Sequence, residues 1–191
     1  MEQDSHQRWE GKVSAKLRST TSEQAWQLVK DFFNIHKRFP TLATCYGIHG
    51  SNGEPGCIRY CAGSSIRSNG SESVSWSKER LVAVDDVDRS LKYEIVESNI
   101  GFKSYEATMR VLNDDDGSDG CMLEWSFVVD PVEGWVLEDL VRKYQTTQLL
   151  LHFHWLVSWS GVCNGCTIDI SQPFMPYVPI SYNARLFFKL L

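Results

Sequence analysis

The stretch from Gly56 to Asp85 constrains the fold of this chain more than any other. It reads Gly56-Cys57-Ile58-Arg59-Tyr60-Cys61, then a Ser/Gly/Asn loop, then Val74-Ser75-Trp76-Ser77-Lys78-Glu79-Arg80-Leu81-Val82-Ala83-Val84. Two runs rich in β-branched and aromatic residues, split by a turn-forming cluster, predict a hairpin. Side chains alternate between faces along a strand. Trp76, Lys78, Arg80 and Val82 therefore share a wet face, and Ser75, Ser77, Glu79, Leu81 and Ala83 share the other. On the first run Arg59 lies between Cys57 and Cys61 on a similarly small, weakly polar face. An Arg and a Glu thus both point inward, where such groups are rare unless paired or functional.

The rest of the chain supplies the partners of this hairpin. Trp9 to Leu17 alternates apolar and charged residues and predicts a first strand. Thr20 with Glu23 and Thr21 with Gln24 are overlapping capping boxes that open a helix, with Ala25, Leu28, Val29, Phe32 and Phe33 at helical spacing. A short second helix is expected from Ile35 to Phe39, stopped by Pro40, and a strand from Thr41 to Ile48. Beyond the hairpin, Leu91, Tyr93 and Ile95 share one strand face. Tyr105, Ala107, Met109 and Val111 share another within 102–112, and Cys121, Leu123, Trp125, Phe127 and Val129 a third. The acidic turn at 113–120 separates the last two. These short connections predict an antiparallel meander with one buried and one wet face.

From Val132 the period becomes helical, with Val136, Leu140, Val141 and Tyr144 on one stripe and Glu138, Asp139, Arg142 and Lys143 on the other. The fold class is therefore α+β, a curved antiparallel sheet that covers its apolar face with a late helix. A sheet curling around that helix without filling the space leaves a cavity. Its expected lining is Arg59, Glu79, Tyr93, Tyr105, Met109 and Trp125.

Composition enters as exclusion. A net charge of −5 with no Lys/Arg run argues against a nucleic-acid partner. The segment from Met1 to Arg8 lacks the apolar core of a secretory signal, so six cysteines in a cytoplasmic, mainly monomeric protein are expected to stay reduced. Cys57 and Cys61 are read most simply as small buried hydrophobes. The histidines show no triad or metal spacing before the tail, and no phosphate loop is present.

Residues 148–191 differ in kind, holding three charged side chains, Asp169, Arg185 and Lys189, of the chain's 43. The run from Leu149 to Val162 is shorter than the ~20 apolar residues a membrane span needs and carries two histidines. Further on, Pro173, Pro176 and Pro179 deny regular structure to much of the remainder. The domain is accordingly expected over 8–147 and a poorly packed apolar tail over 148–191. Cys163 and Cys166 with His152 and His154 have zinc or redox spacing. Coincidence is the favoured reading, because zinc sites sit in tight, turn-rich frames.

Trp9-Glu10-Gly11-Lys12-Val13, Glu23-Gln24-Ala25-Trp26, Lys30-Asp31-Phe32, His36-Lys37, Gly56 to Tyr60, Trp76 to Val82, Tyr105 to Met109 and Glu124-Trp125-Ser126-Phe127 together resemble the plant lachrymatory factor synthase-like proteins. These belong to the START-like, helix-grip superfamily of polyketide cyclase/dehydrase and lipid transport proteins. The resemblance covers roughly 8–147 and implies a seven-stranded sheet gripping a long C-terminal helix around a ligand cavity. It implies an Arg and a Glu at Arg59 and Glu79 that isomerise a small alkenyl sulfenic acid to a thial S-oxide, with an aromatic wall at Tyr93, Tyr105 and Trp125. It departs from about Thr146, where the family continues an amphipathic helix; an alternative or unspliced message would produce such a break.

Three function classes arise. One is a cofactor-independent isomerase in which Arg59 anchors an oxygen and Glu79 relays a proton; a shift within one molecule needs no metal and no organic cofactor. Another is a carrier or sensor of an apolar metabolite, in which Arg59 and Glu79 are an internal ion pair joining two strands. The third, a hormone receptor of the abscisic acid type, is set aside. The loops matching its Ser-Gly-Leu-Pro-Ala gate and His-Arg-Leu latch read Ser64-Ser65-Ile66-Arg67-Ser68-Asn69-Gly70 and Ser98-Asn99-Ile100-Gly101-Phe102, and no Lys closely succeeds Phe39.

Reduced cysteines are directly testable. Thiol titration of the denatured, non-reduced chain is expected to find nearly all six sulfhydryls; about two or fewer would refute a reducing compartment.

Overall fold

The computed structural model describes residues 7–18, 20–39, 41–66, 72–114 and 120–145. The expected tail over 148–191, with its cysteine and histidine cluster, lies outside them. Among the described residues, seven strands form one antiparallel sheet in the order β1-β7-β6-β5-β4-β3-β2. They are β1 Trp9–Arg18, β2 Thr44–His49, β3 Ile58–Ile66, β4 Glu72–Asp85, β5 Ser90–Ser98, β6 Glu106–Asn113 and β7 Gly120–Val129. Alternation is complete in β7, where Cys121, Leu123, Trp125, Phe127 and Val129 are all buried and their neighbours are not.

Helix α1, Ser22–Lys30, starts where the second capping box places it. Thr21 Oγ1 accepts from the Gln24 amide at 3.2 Å, and Gln24 Oε1 accepts from the Thr21 amide at 3.0 Å. It buries Ala25, Trp26 and Val29. Trp26, which the helical spacing of apolar residues does not include, also donates its Nε1–H to Asp86 at 2.9 Å, and Lys30 pairs with the same carboxylate at 2.7 Å. The two contacts tie α1 to the β4–β5 turn. After α1 comes a 3-10 segment, Phe32–Lys37, three residues earlier than the short helix expected from Ile35 to Phe39. It packs on β2 and β3 and buries Phe32 and Ile35 against the sheet.

Three further expectations shift for identifiable reasons. The strand expected over 102–112 begins only at Glu106, because Gly101 (φ +89°) and Ser104 (φ +48°) turn the chain first. A bulge at Val82 breaks the β4–β5 register between Leu81 and Ala83, so Ala83 faces out and Val84 packs against the core in its place. Val136 is 54% exposed because it precedes helix α2, residues 137–145, accepting from the Asp139 amide at 3.1 Å. Leu140 and Tyr144 of α2 are buried as expected.

Close approach governs several glycines of this sheet, Gly11 among them. Gly11 faces Phe127 across β1 and β7, and a Cβ there would lie 2.3 Å from the Phe127 ring. Gly11→Ala is therefore expected to destabilise the chain by about 1–3 kcal/mol, the usual cost of overpacking. Urea unfolding checks it by a lowered midpoint at constant slope; an unmoved midpoint would show that Phe127 gives way freely.

Candidate functional site

The hairpin register sets the site. In β3 and β4, Arg59 stands directly opposite Glu79 and Cys61 opposite Ser77, so all four share the concave face. Arg59 is 4% exposed and Glu79 8%. The Arg59 Nε donates to Glu79 Oε2 at 2.7 Å and Nη2 lies 2.6 Å from the same oxygen, while Nη1 donates to the Phe32 carbonyl at 2.9 Å. Ser77 Oγ donates to the other carboxylate oxygen, Oε1, at 2.7 Å. The guanidinium carbon sits 3.7 Å above the Phe32 ring centre and 5.3 Å from that of Tyr93. Burial is the largest single influence and opposes the charge on Arg59, but Glu79, together with smaller contributions from Cys61, Cys45 and Tyr93, outweighs it and holds the Arg59 pKa above the ordinary value.

Around this pair the aromatic side chains touch in sequence. Phe32 meets Tyr93 (centroids 6.2 Å), Tyr93 meets Tyr105 (6.2 Å), and Tyr105 stacks on Phe127 (6.2 Å, 7°). Phe127 meets Tyr144 of α2 at 5.1 Å, Tyr144 meets Trp125 at 4.4 Å, and Trp125 meets Phe39 edge-on at 6.1 Å. Of these rings, Phe39, Tyr93, Tyr105, Trp125 and Tyr144 line a cavity of about 580 Å³. Arg59, Glu79, Tyr93, Tyr105, Met109 and Trp125 all line it, which brings every expected site residue to one enclosure.

Other contributors escaped the sequence reading. Ser77 lies on the inward face by alternation, yet nothing in the sequence assigns it to Glu79. Phe32 reads as core at helical spacing; its carbonyl and ring engage Arg59 only because the chain has already left α1. Asp139, Arg142 and Lys143, from the polar stripe of α2, border the cavity as well. Two donors in the wall, Tyr105 Oη and Trp125 Nε1, are buried with no hydrogen-bond partner among the described residues. The hydroxyls of Tyr93 and Tyr144 influence the titration of Tyr105 but are not placed as its partners. Buried polar atoms of this kind are ones a guest molecule can satisfy.

Comparison with known proteins agrees with this architecture. The family described as polyketide cyclase / dehydrase and lipid transport matches residues 10–149. Among solved structures, an uncharacterised protein of Bacillus thuringiensis is 22% identical with a TM-score of 0.61, covering 78% of this chain and 99% of that one. The protein XoxI of Bacillus cereus is 20% identical with a TM-score of 0.58, covering 77% of this chain and 95% of that one. Major latex-like protein 151 of Panax ginseng is 20% identical with a TM-score of 0.55, covering 75% and 97%. At these identities the three structures share the fold.

Two measurements test this geometry. Removing one partner of a buried pair strands the other, so Arg59→Met is expected to cost about 3–5 kcal/mol, with most of it recovered in Arg59→Met/Glu79→Leu; additive losses in the cycle would show that the pair is not coupled. Burial first, aided by neighbouring anionic groups, raises the pKa of Tyr93, Tyr105 and Tyr144 well above the ordinary value of 10. Above that pH the unfolded chain loses these protons and the folded chain keeps them, so stability falls as pH rises past about 10. Absorbance at 295 nm is expected to show these three tyrosines ionising only as the protein unfolds; smooth titration of all seven tyrosines in the folded state would contradict their enclosure.

Proposed function

The chain belongs to the polyketide cyclase / dehydrase and lipid transport family, and from that premise we propose that its cavity binds a small apolar molecule over Arg59 and Glu79, in the manner of the plant lachrymatory factor synthase-like proteins. The observation that carries this is an aromatic enclosure of about 580 Å³ with a buried cation and carboxylate in its wall. Apolar walls with a few convergent polar groups are how proteins hold small ligands.

The chemistry rests on what each group can do. Arg59 keeps its charge and offers a fork suited to an anionic oxygen such as a sulfenate. Glu79 moves a proton from that oxygen to a carbon of the same molecule, converting an alkenyl sulfenic acid to a thial S-oxide with no net change in oxidation level. Tyr93, Tyr105, Met109 and Trp125 hold the carbon chain. The working unit on this reading is residues 8–147, acting as a cytoplasmic monomer; no helix of the described residues is long and apolar enough to cross a membrane.

One observation favours a second reading, a non-catalytic carrier or sensor. Arg59 puts two of its donors on a single oxygen of Glu79, and Ser77 occupies the other, which is the self-contained arrangement of a structural pair.

Kinetics separate the two. With an alkenyl sulfenic acid released in situ by a lyase, Glu79→Gln is expected to lower thial S-oxide formation by roughly 10²–10⁴-fold. Binding of an apolar fluorescent dye to the cavity should survive the substitution. A Glu79→Gln protein as fast as the parent would remove the proton-relay role and leave the carrier. Failure of the parent to bind any apolar dye would remove both readings.

A further inference from the structure

We propose that Cys45 and Cys61 form a redox-active dithiol in the cavity wall, converted to a disulfide by an apolar organic hydroperoxide that enters through the cavity. This inference needs no reaction at Glu79 and no bound metabolite. It starts from register. Cys45 of β2 stands directly opposite Cys61 of β3, and Cys61 directly opposite Ser77 of β4, so one row across three strands carries both sulfurs. Directly opposed residues of antiparallel strands have Cα atoms about 4.5–5.5 Å apart, within the roughly 4.4–6.8 Å that a disulfide spans. The Cys61 thiol donates to the Cys45 sulfur at 2.9 Å. The backbone therefore already holds the pair in a position to join.

Access is one-sided. Both cysteines are almost wholly buried, at 4% and 2% exposure. Cys61 lines the cavity, and the Cys45 sulfur lies 3.9 Å from the Phe32 carbonyl oxygen. An oxidant meets Cys61 by way of this cavity, whose largely apolar wall suits a small apolar molecule. Arg59, two residues from Cys61 on the same strand face, supplies the positive field that favours thiolate character. The shared hydrogen bond comes first among the causes and splits the two thiols, lowering Cys45 and raising Cys61. Burial also raises Cys57 and Cys121, Cys121 to about 11, so of these four thiols Cys45 is the one that is lowered.

The step balances with the hydroperoxide as oxidant. Cys45, the thiol that is lowered, ionises first and takes the Cys61 proton along their hydrogen bond. The Cys61 sulfur so freed attacks the peroxide, the O–O bond breaks and an S–O bond forms. An alcohol departs with the thiol proton, leaving Cys61 as sulfenic acid. The Cys45 thiol then attacks that sulfur, forming the S–S bond and releasing water. Two thiols are oxidised by two electrons, and one hydroperoxide is reduced to alcohol and water.

Cumene hydroperoxide is a suitable probe. The reduced full chain is treated with one equivalent, blocked with N-ethylmaleimide and digested with trypsin. Cleavage after Arg38, Arg59 and Arg67 separates peptide 39–59, with Cys45 and Cys57, from peptide 60–67, with Cys61. The expected result is a cross-linked pair of these peptides, cleaved by dithiothreitol, and loss of two sulfhydryls from the chain's six. Cys57→Ser keeps the cross-link. Cys45→Ser loses it and leaves a Cys61 sulfenic acid that dimedone traps. Full maleimide labelling of all three cysteines after treatment of the parent chain would overturn the proposal, as would a cross-link that persists in Cys45→Ser through Cys57. Cumene hydroperoxide is expected to act faster than hydrogen peroxide, and the reverse order would overturn entry through the apolar cavity.

Discussion

A guanidinium and a carboxylate facing each other across two strands, both almost wholly buried, set the terms for everything around them. Desolvating two charges costs several kcal/mol for each ion, and their attraction repays it only with good geometry and further hydrogen bonds. The fold supplies both. Strand pairing places Arg59 opposite Glu79, the 3-10 segment after α1 brings the Phe32 carbonyl to Nη1, and Ser77 completes the carboxylate from the same strand face. Gly47, opposite Arg59 on β2, lacks a side chain where the Phe33 ring packs; a Cβ would lie 2.2 Å from it. A longer α1 would move Phe32 away, so the break in the helix and the buried pair depend on each other.

The same face does not close into a solid core. Bulges at Val82 on β4 and Val96 on β5 insert residues that point outward, and such insertions increase bending and twist. The concavity exceeds what α1, the 3-10 segment and the described turns of α2 fill. Tyr93, Tyr105, Tyr144 and Trp125 line it, braced from behind by Phe32 and Phe127 in a chain of ring contacts. Each such pair is worth about 0.5–1.5 kcal/mol beyond area burial. Rings braced against one another can hold a wall without filling the space in front of it, as aliphatic side chains would by collapsing.

How much of this was legible depends on the range of the signals. Alternation acts over two residues, so it exposed the inward set of β7, the shared face of Arg59 and Glu79, and the line of Tyr93, Tyr105, Met109 and Trp125. It could not see a bulge, because Val82 matches its neighbours in type and only pairing with β5 reveals it as extra; Ala83 was misplaced for that reason. The helical period carried Phe32 into α1, where it would be plain core. Its contact with Arg59 arises because the segment tightens after Asp31, a tertiary effect. Trp26 was passed over because its indole serves both the core and the Asp86 carboxylate. The family likeness adds the seven-stranded architecture, and its expected long helix is described only over 137–145.

A self-satisfied ion pair and a ligand site are compatible, and the donor count shows how. A guanidinium has five N–H groups. Glu79 takes one from Nε and one from Nη2, and Phe32 takes one from Nη1, which leaves two for an incoming oxygen. An anionic oxygen can therefore bind Arg59 without first breaking its hold on Glu79. Glu79 is less free: Oε2 receives both Arg59 bonds and Oε1 the Ser77 hydroxyl, so any proton transfer must use the remaining acceptor capacity of Oε1. Rotation of one hydroxyl can open that oxygen, whereas freeing Oε2 requires separating two buried charges. The cheaper motion belongs to Ser77, which makes this small residue the point at which a structural pair and a reactive one diverge.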